Sequence, residues 1–69
     1  MRTETVILQK GDLIVEVVFD LEYQSIDTVK NVKTGNLLTS SHPLVKQLVN
    51  NLLGVYCGKY PKGITRIKS

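Results

Sequence analysis

The stretch from Leu13 to Tyr23, LIVEVVFDLEY, decides the fold. Apolar side chains recur at every second position, which is the period of a β-strand with one buried face. The predicted inner positions are Leu13, Val15, Val17, Phe19, Leu21 and Tyr23. The predicted outer positions are Ile14, Glu16, Val18, Asp20 and Glu22. Because the outer set is mostly polar, we expect that face of the strand to meet solvent.

The neighbouring segments extend this strand into a sheet. Residues 3–9 are rich in β-forming side chains, and Lys10-Gly11 separates them from the stretch above. Glycine adopts the positive φ of a tight turn, so the two segments are predicted to pair as an antiparallel hairpin. Residues 26–32 are a candidate third strand, and residues 37–39 are a candidate short return strand.

The segment from Pro43 to Val55 is predicted to form one amphipathic helix. Apart from Leu53, which lies near the boundary, its apolar residues fall on one side of a helical wheel, while Lys46, Gln47 and two asparagines fall on the other. Either Ser40 or Ser41 is expected to cap its start. Either Gly54 or Gly58 is expected to end it in a left-handed conformation.

These segments predict an α+β fold, a small antiparallel sheet of three or four strands that begins with a β-hairpin. One amphipathic helix packs on one face of the sheet. Residues 1–57 form the single domain, and residues 58–69 form a basic C-terminal tail that includes a candidate edge strand at 64–67. The predicted core is Val6, Leu8, Leu13, Val15, Val17, Phe19, Leu21, Leu44, Leu48, Val49, Leu52 and Tyr56.

Length and composition bound the class of protein. A chain of 69 residues makes one domain, and a domain this size buries only about 60% of its unfolded surface, so it gains much from a second subunit. Its single cysteine excludes an intrachain disulfide and is typical of a reducing compartment. The N-terminus lacks signal-peptide features, and no apolar run reaches about 18 residues. We therefore expect a cytoplasmic protein with no membrane association.

The charges are unevenly distributed along the chain. All six carboxylates lie in the first 27 residues, which net −4, and the remaining residues net +7, giving +3 in total. Such a split predicts an electrostatic dipole with one region suited to a polyanion.

Motifs of enzyme or metal chemistry are not apparent. The one histidine, His42, follows Ser41 directly and is expected to be an exposed residue of the first helical turn. Structural zinc needs about four Cys or His ligands, and the chain offers only His42 and Cys57. Glu16, Asp20 and Glu22 share a strand face, but acid–base catalysis needs a partly dry pocket that so small a domain rarely encloses. The glycines match no phosphate-binding motif. We predict a non-enzyme with no catalytic residues, cofactor or metal.

Two surfaces are candidates for binding. In the C-terminal segment, lysines, a tyrosine and an arginine suit phosphates and unpaired bases, although a passive solvated tail and a core-packed tyrosine are the alternatives. Its candidate nucleic-acid contacts are Lys59, Tyr60, Lys62, Arg66 and Lys68. On the outer face of the strand, apolar side chains lie among carboxylates, which indicates a protein interface unless another segment covers them. Its candidate residues are Ile14, Glu16, Val18 and Asp20.

The layout of elements resembles that of short phage-encoded accessory proteins of unknown function. The likeness lies in residues 12–54, and chiefly in Ile26-Asp27-Thr28-Val29, Gly35-Asn36-Leu37-Leu38, Pro43-Leu44-Val45, Leu48 and Leu52-Leu53. Those proteins usually have an acidic helix, whereas this one carries Lys46. The resemblance implies a small cytosolic accessory role and no catalytic residues.

The sequence thus yields two functional hypotheses. The first is a small non-catalytic interaction module, an accessory or modulator protein that binds a partner protein or a second copy of itself. The second is a nucleic-acid-binding protein that uses the basic C-terminal segment.

Overall fold

The computed structural model describes residues 2–67, which form four β-strands and two short helices. The strands are β1 (Thr3–Lys10), β2 (Leu13–Asp20), β3 (Ser25–Asn31) and β4 (Thr65–Ile67). The helices are α1 (Pro43–Asn50) and α2 (Leu52–Tyr56). The predicted α+β class and antiparallel sheet are confirmed.

The strands form one antiparallel sheet in the order β3-β2-β1-β4. A tight turn joins β1 to β2, since Lys10 pairs with Leu13. Gly11 supplies the positive φ of +61° that this turn needs. The predicted hairpin is therefore present, and it provides the two central strands of the sheet.

Alternate residues of the sheet enter the core. Val6, Val17 and Val29 lie side by side on β1, β2 and β3 and are each at most 3% exposed. The buried cluster comprises Val6, Leu8, Val15, Val17, Phe19, Val29, Leu44, Val45, Leu48, Val55 and Ile64. The cluster includes residues of both strands and helices. Val15, Val17 and Phe19 of β2 all belong to it, so the period-two pattern identifies the inner face of this strand as predicted.

Strand β2 ends earlier than its apolar alternation predicts. The carboxylate of Asp20 accepts hydrogen bonds from the backbone N–H groups of Glu22 (2.9 Å) and Tyr23 (3.2 Å). These bonds fold residues 21–24 into a turn, because an aspartate side chain offers the backbone an alternative to the strand ladder. Leu21 is only partly buried, and Tyr23 is 75% exposed. The prediction of a strand through Tyr23 is therefore wrong.

The helical segment is two helices and not one. Asn51 leaves helical geometry (φ −119°, ψ 30°), and its side-chain amide donates a hydrogen bond to the carbonyl of Gln47 at 2.9 Å. Asparagine competes in this way for backbone partners, which explains the break. Helix α2 ends at Tyr56, and Gly58, two residues further on, has a φ of +82°, the left-handed conformation predicted for one of the two glycines.

The predicted serine caps are also wrong. His42 is the N-cap of α1, and its Nδ1 accepts a hydrogen bond from the backbone N–H of Leu44 at 3.1 Å. The hydroxyls of Ser41 and Thr39 instead lie 2.8 Å apart and bond to each other. His42 is thus a half-buried capping residue and not an exposed member of the first turn.

The helical part of the predicted core changes with the break. Val49 is 53% exposed, so its place in the predicted core is wrong. Leu52 and Tyr56 are only partly buried against the core, whereas Val55 is buried at 3% exposure. The new helix start at Leu52 changes which residues of the segment face inward.

The C-terminal segment is tied to the rest of the chain. Ile64 is 4% exposed in the core cluster, and Tyr60 packs against that cluster. Strand β4 pairs with β1, with Ile67 opposite Ile7. Residues 37–39 form no strand and contribute one isolated bridge, between Lys30 and Leu37.

Candidate interaction surfaces

The outer face of the sheet carries an apolar group that no described element covers. The alternation of β2 directs Ile14 and Val18 away from the core. The strand register adds Ile7, which lies opposite Glu16, and Ile67, which lies opposite Ile7. All four side chains are half-buried and lie outside the core cluster and its packed neighbours. We call Ile7, Ile14, Val18 and Ile67 the open-face group.

A charged pair lies in the middle of this group. Glu16 on β2 pairs in register with Lys30 on β3, and the carboxylate Oε1 lies 3.7 Å from the ammonium Nζ. Both side chains keep substantial exposure, 36% and 42%. An exposed pair of this kind stabilises a fold by only about 0–1 kcal/mol. The pair matters more for recognition than for stability, because a partner that binds this face must accommodate two charges among apolar side chains.

The fourth residue of the predicted protein interface lies apart from the other three. Asp20 ends β2, and its carboxylate is engaged by the turn residues Glu22 and Tyr23. Its backbone carbonyl accepts a hydrogen bond from the Tyr56 hydroxyl at 2.8 Å. Asp20 therefore belongs to a junction between the β2–β3 turn and α2, at one end of the open face.

The Tyr56 hydroxyl bond carries a testable consequence for stability and pH. We expect Tyr56→Phe to lower the free energy of unfolding by about 1 kcal/mol, the usual net value of one hydrogen bond. Partial burial, and then the carboxylates of Asp20 and Glu4, raise the pKa of the Tyr56 phenol. A raised pKa means that this stabilisation is present below the unfolded pKa of about 10 and is lost as pH rises through the folded pKa.

Ultraviolet absorbance titration and urea unfolding of both proteins measure this effect. The last phenol to ionise in the native protein should be missing from Tyr56→Phe. The stability difference between the two proteins should shrink at alkaline pH. An unchanged set of phenol titrations would contradict the assignment to Tyr56.

The basic C-terminal residues divide into two environments. Lys59, Lys62 and Arg66 are exposed, whereas Tyr60 is partly buried against the core and offers its ring less freely for stacking. Arg66 and Tyr60 line a shallow hollow of about 50 Å³ together with Glu4. Lys68, the last predicted contact, lies outside the described residues.

In the folded chain the charged residues are not arranged in the order in which they occur along the sequence. The register brings Lys10, the turn that contains Lys33, and the loop that contains Lys62 to the end of the sheet where β1 meets β2. Asp20 and Glu22 lie at the opposite end. Asp12, however, lies in the same turn as Lys10, and the carbonyl of Arg2 accepts a hydrogen bond from Leu21 beside Asp20, so both signs of charge are present at each end.

The residues considered above as metal ligands or nucleophiles lie on different elements of the fold. Within residues 2–67 no group of three or more His, Cys, Asp or Glu side chains lies close enough to hold a metal ion. Cys57 is an exposed free thiol after α2, and His42 caps α1. No helix in the described part of the chain has both the length and the apolar content for a membrane span.

A groove that sequence reasoning missed runs between β3 and α1. It has a volume of about 250 Å³, and its walls include Asp27 and Thr28 of β3 and Val45 and Val49 of α1. Leu37 flanks it and is 63% exposed. No local pattern indicates the groove, since it depends on β3 being the outer strand of the sheet. The outward position of Ile7, by contrast, follows from the sequence alone, because its neighbours Val6 and Leu8 on the same strand face inward.

The open-face group and the β3–α1 groove are thus two apolar surfaces of distinct geometry, and a third apolar hollow of about 480 Å³ lies between Leu21, Leu53 and Tyr56. The first is a sheet face with a central charged pair, and the second is a channel along a strand edge. Comparison with protein-family models, with curated proteins and with solved structures finds no match for this chain.

Proposed function

We propose that this chain is a small non-catalytic interaction module that binds a partner protein through the outer face of its sheet. In this proposal the helical segment packs across the inner face through Leu44 and Leu48, and the outer face stays free. The observation that carries the proposal is the open-face group, whose side chains are half-buried yet belong to no part of the core. Apolar side chains grouped on a surface are typical of protein-binding sites.

The size of the face sets the scale of the interface. Strands of 8, 8, 7 and 3 residues, at about 3.3 Å per residue and about 4.8 Å apart, give a face of about 400 Å². A standard interface buries about 800 Å² on each partner, and about 1,000 Å² in total is the lower limit for a specific one. The face alone, at about 800 Å² for the two partners together, falls short of that limit and suits a weak interface. We therefore expect a small and reversible interface, as suits an accessory or modulator protein.

The Glu16–Lys30 pair supports selectivity in this interface. Charges among apolar groups discourage indiscriminate association of sheets, a known protective feature of β-proteins. A suitable partner presents apolar side chains around a complementary pair of charges. A second copy of this chain meets that description when Glu16 of one copy faces Lys30 of the other.

Two variants test the proposal, one at a half-buried residue of the open face and one at an exposed residue of α2. Val18→Asp introduces a carboxylate on the open face next to Glu16, and Leu53→Asp introduces one on α2, where Leu53 is 75% exposed. After nuclease treatment, wild type and Leu53→Asp should capture the same protein from the native cell, and Val18→Asp should lose it. Sedimentation of the pure chain separates self-association from a foreign partner. Capture that survives Val18→Asp, with no self-association of wild type, would refute the proposed face.

The second candidate function is nucleic-acid binding. It is favoured by Lys59, Lys62 and Arg66, which are all exposed on one C-terminal segment. With Tyr60 packed against the core, such binding depends on charge more than on base stacking.

Fluorescence anisotropy with labelled RNA and DNA tests this second candidate. Replacing Lys59, Lys62 and Arg66 by glutamine should reduce the slope of log affinity against log salt by about three, if each contacts one phosphate. Absence of binding at low salt and about 100 µM protein would exclude this function, because even non-specific binders are detected at that concentration.

A further inference from the structure

We propose that the β3–α1 groove binds an extended peptide, which adds to the sheet as a fifth strand beside β3. The groove lies on the sheet edge and not on the open face, so this site is independent of the surface assigned above. Its walls differ in kind, with the backbone of β3 on one side and the apolar side chains Val45 and Val49 of α1 on the other.

The upper half of the β3 edge already shows how an added strand is held. The backbone N–H of Asn31 donates to the carbonyl of Asn36 at 2.8 Å, and that of Leu38 donates to the carbonyl of Val29 at 2.7 Å. Residues 36–38 thus run antiparallel to β3 for one bridge, centred on Lys30 and Leu37. The chain then turns away toward α1, so this pairing stops halfway along the strand.

The lower half of β3 is left without such a neighbour. In the described part of the chain, Ser25, Ile26 and Thr28 pair with β2 on one side, across a bulge that leaves Asp27 unpaired, and no bridge is formed on the other. A strand edge with free backbone groups is a template for another extended chain. A peptide that continues the line of residues 36–38 would satisfy this edge by the β-addition mode of recognition.

The width of the site favours a strand over a helix. An added strand lies about 4.8 Å from its neighbour, whereas a helix with its side chains is about 10–12 Å wide. A volume of about 250 Å³ between β3 and α1 accommodates a few side chains of a strand but not a whole helix. Because strand side chains alternate, every second one would point toward Val45 and Val49 while the others face solvent.

The carboxylate of Asp27 at the groove indicates which charge a bound peptide should carry. Asp27 lines the groove. Its carboxylate forms no ion pair with another side chain of residues 2–67, where Lys30 pairs with Glu16. A lysine or arginine of the peptide would meet the carboxylate of Asp27. The expected occupant is therefore an extended segment with apolar residues at alternate positions and one basic residue near the Asp27 end.

Selection from a displayed library of random dodecapeptides against the full chain tests this site. We expect enriched peptides with the alternating apolar pattern and a basic residue. Val49→Asp should weaken their binding about tenfold or more. Leu53→Asp, an exposed apolar-to-acid change outside the groove lining, and Ile7→Asp, which lies on the open face two strands away from β3, should leave it unchanged. Amide exchange of Val29, whose carbonyl already faces this edge and bonds to Leu38, should slow when peptide binds.

Distinct results would overturn the proposal. These are enrichment no greater than in a chain-free selection, peptides that bind Val49→Asp as well as wild type, and peptides that bind as helices. Because Ile7→Asp alters the open face at a position two strands away from β3, a failure of the groove is distinguishable from a failure of the proposed function.

Discussion

Val17→Asp should abolish the folded state. Val17 is fully buried at the centre of the sheet, between Val6 and Val29. An unpaired carboxylate placed there costs several kcal/mol, against a total stability of about 5–10 kcal/mol for a small domain. We therefore expect far-ultraviolet circular dichroism to show no cooperative thermal transition. A cooperative melt like that of the unaltered protein would contradict the assignment of the inner face.

The adjacent residue provides the matched control. Val18 lies on the same strand but on the outer face, and it is half-buried. The same substitution, Val18→Asp, should therefore leave a cooperatively folded protein. The contrast between neighbouring positions removes β-propensity and net charge as explanations, since both variants share them. Loss of folding in both variants would mean that the outer face also lies in a packed interior.

Leu48→Ala should have the second largest effect. Leu48 is fully buried on α1 and belongs to the same cluster as Val15 and Val17. Truncation of a buried leucine costs about 2–5 kcal/mol through lost apolar burial and the cavity left behind. In a domain this small we expect that loss to consume a large part of the stability, which urea unfolding measures.

Val49→Ala is the control for that truncation. Val49 follows Leu48 directly but is 53% exposed. We expect a change within about 0.5 kcal/mol, the usual range for surface substitutions. Equal losses for both variants would show that helix propensity, and not docking of α1 on the core, determines the stability of this segment.

Local patterns predicted the parts of the fold that depend on periodicity. The alternation of β2 identified Val15 and Val17 as buried, and glycine chemistry identified the hairpin at Gly11. The end of β2 could not be read in this way, because Leu21 and Tyr23 continue the apolar alternation. The bonds from the Asp20 carboxylate to the following N–H groups outweigh that pattern.

The remaining differences arise from interactions distant in sequence. Asn51 breaks the helical segment even though the apolar spacing runs through it, so Val55 is buried and Val49 is not. Ile64 was placed at the start of a candidate edge strand in the tail, and β4 does pair with the edge of β1, but no pattern indicated that the side chain of Ile64 enters the core. Only the register brings Ile67 beside Ile7 on the open face. The groove beside Asp27 likewise depends on the strand order, which a single sequence does not specify.

The central claim is that α1 covers the inner face of the sheet and leaves the outer face free for a partner. Methyl–methyl nuclear Overhauser effects in protein labelled at Ile, Leu and Val measure this directly. We predict cross-peaks that join Leu48 to Val15 or Val17, and none that join Leu48 to Ile14 or Val18. Cross-peaks from Leu48 to Ile14 or Val18 would contradict the account.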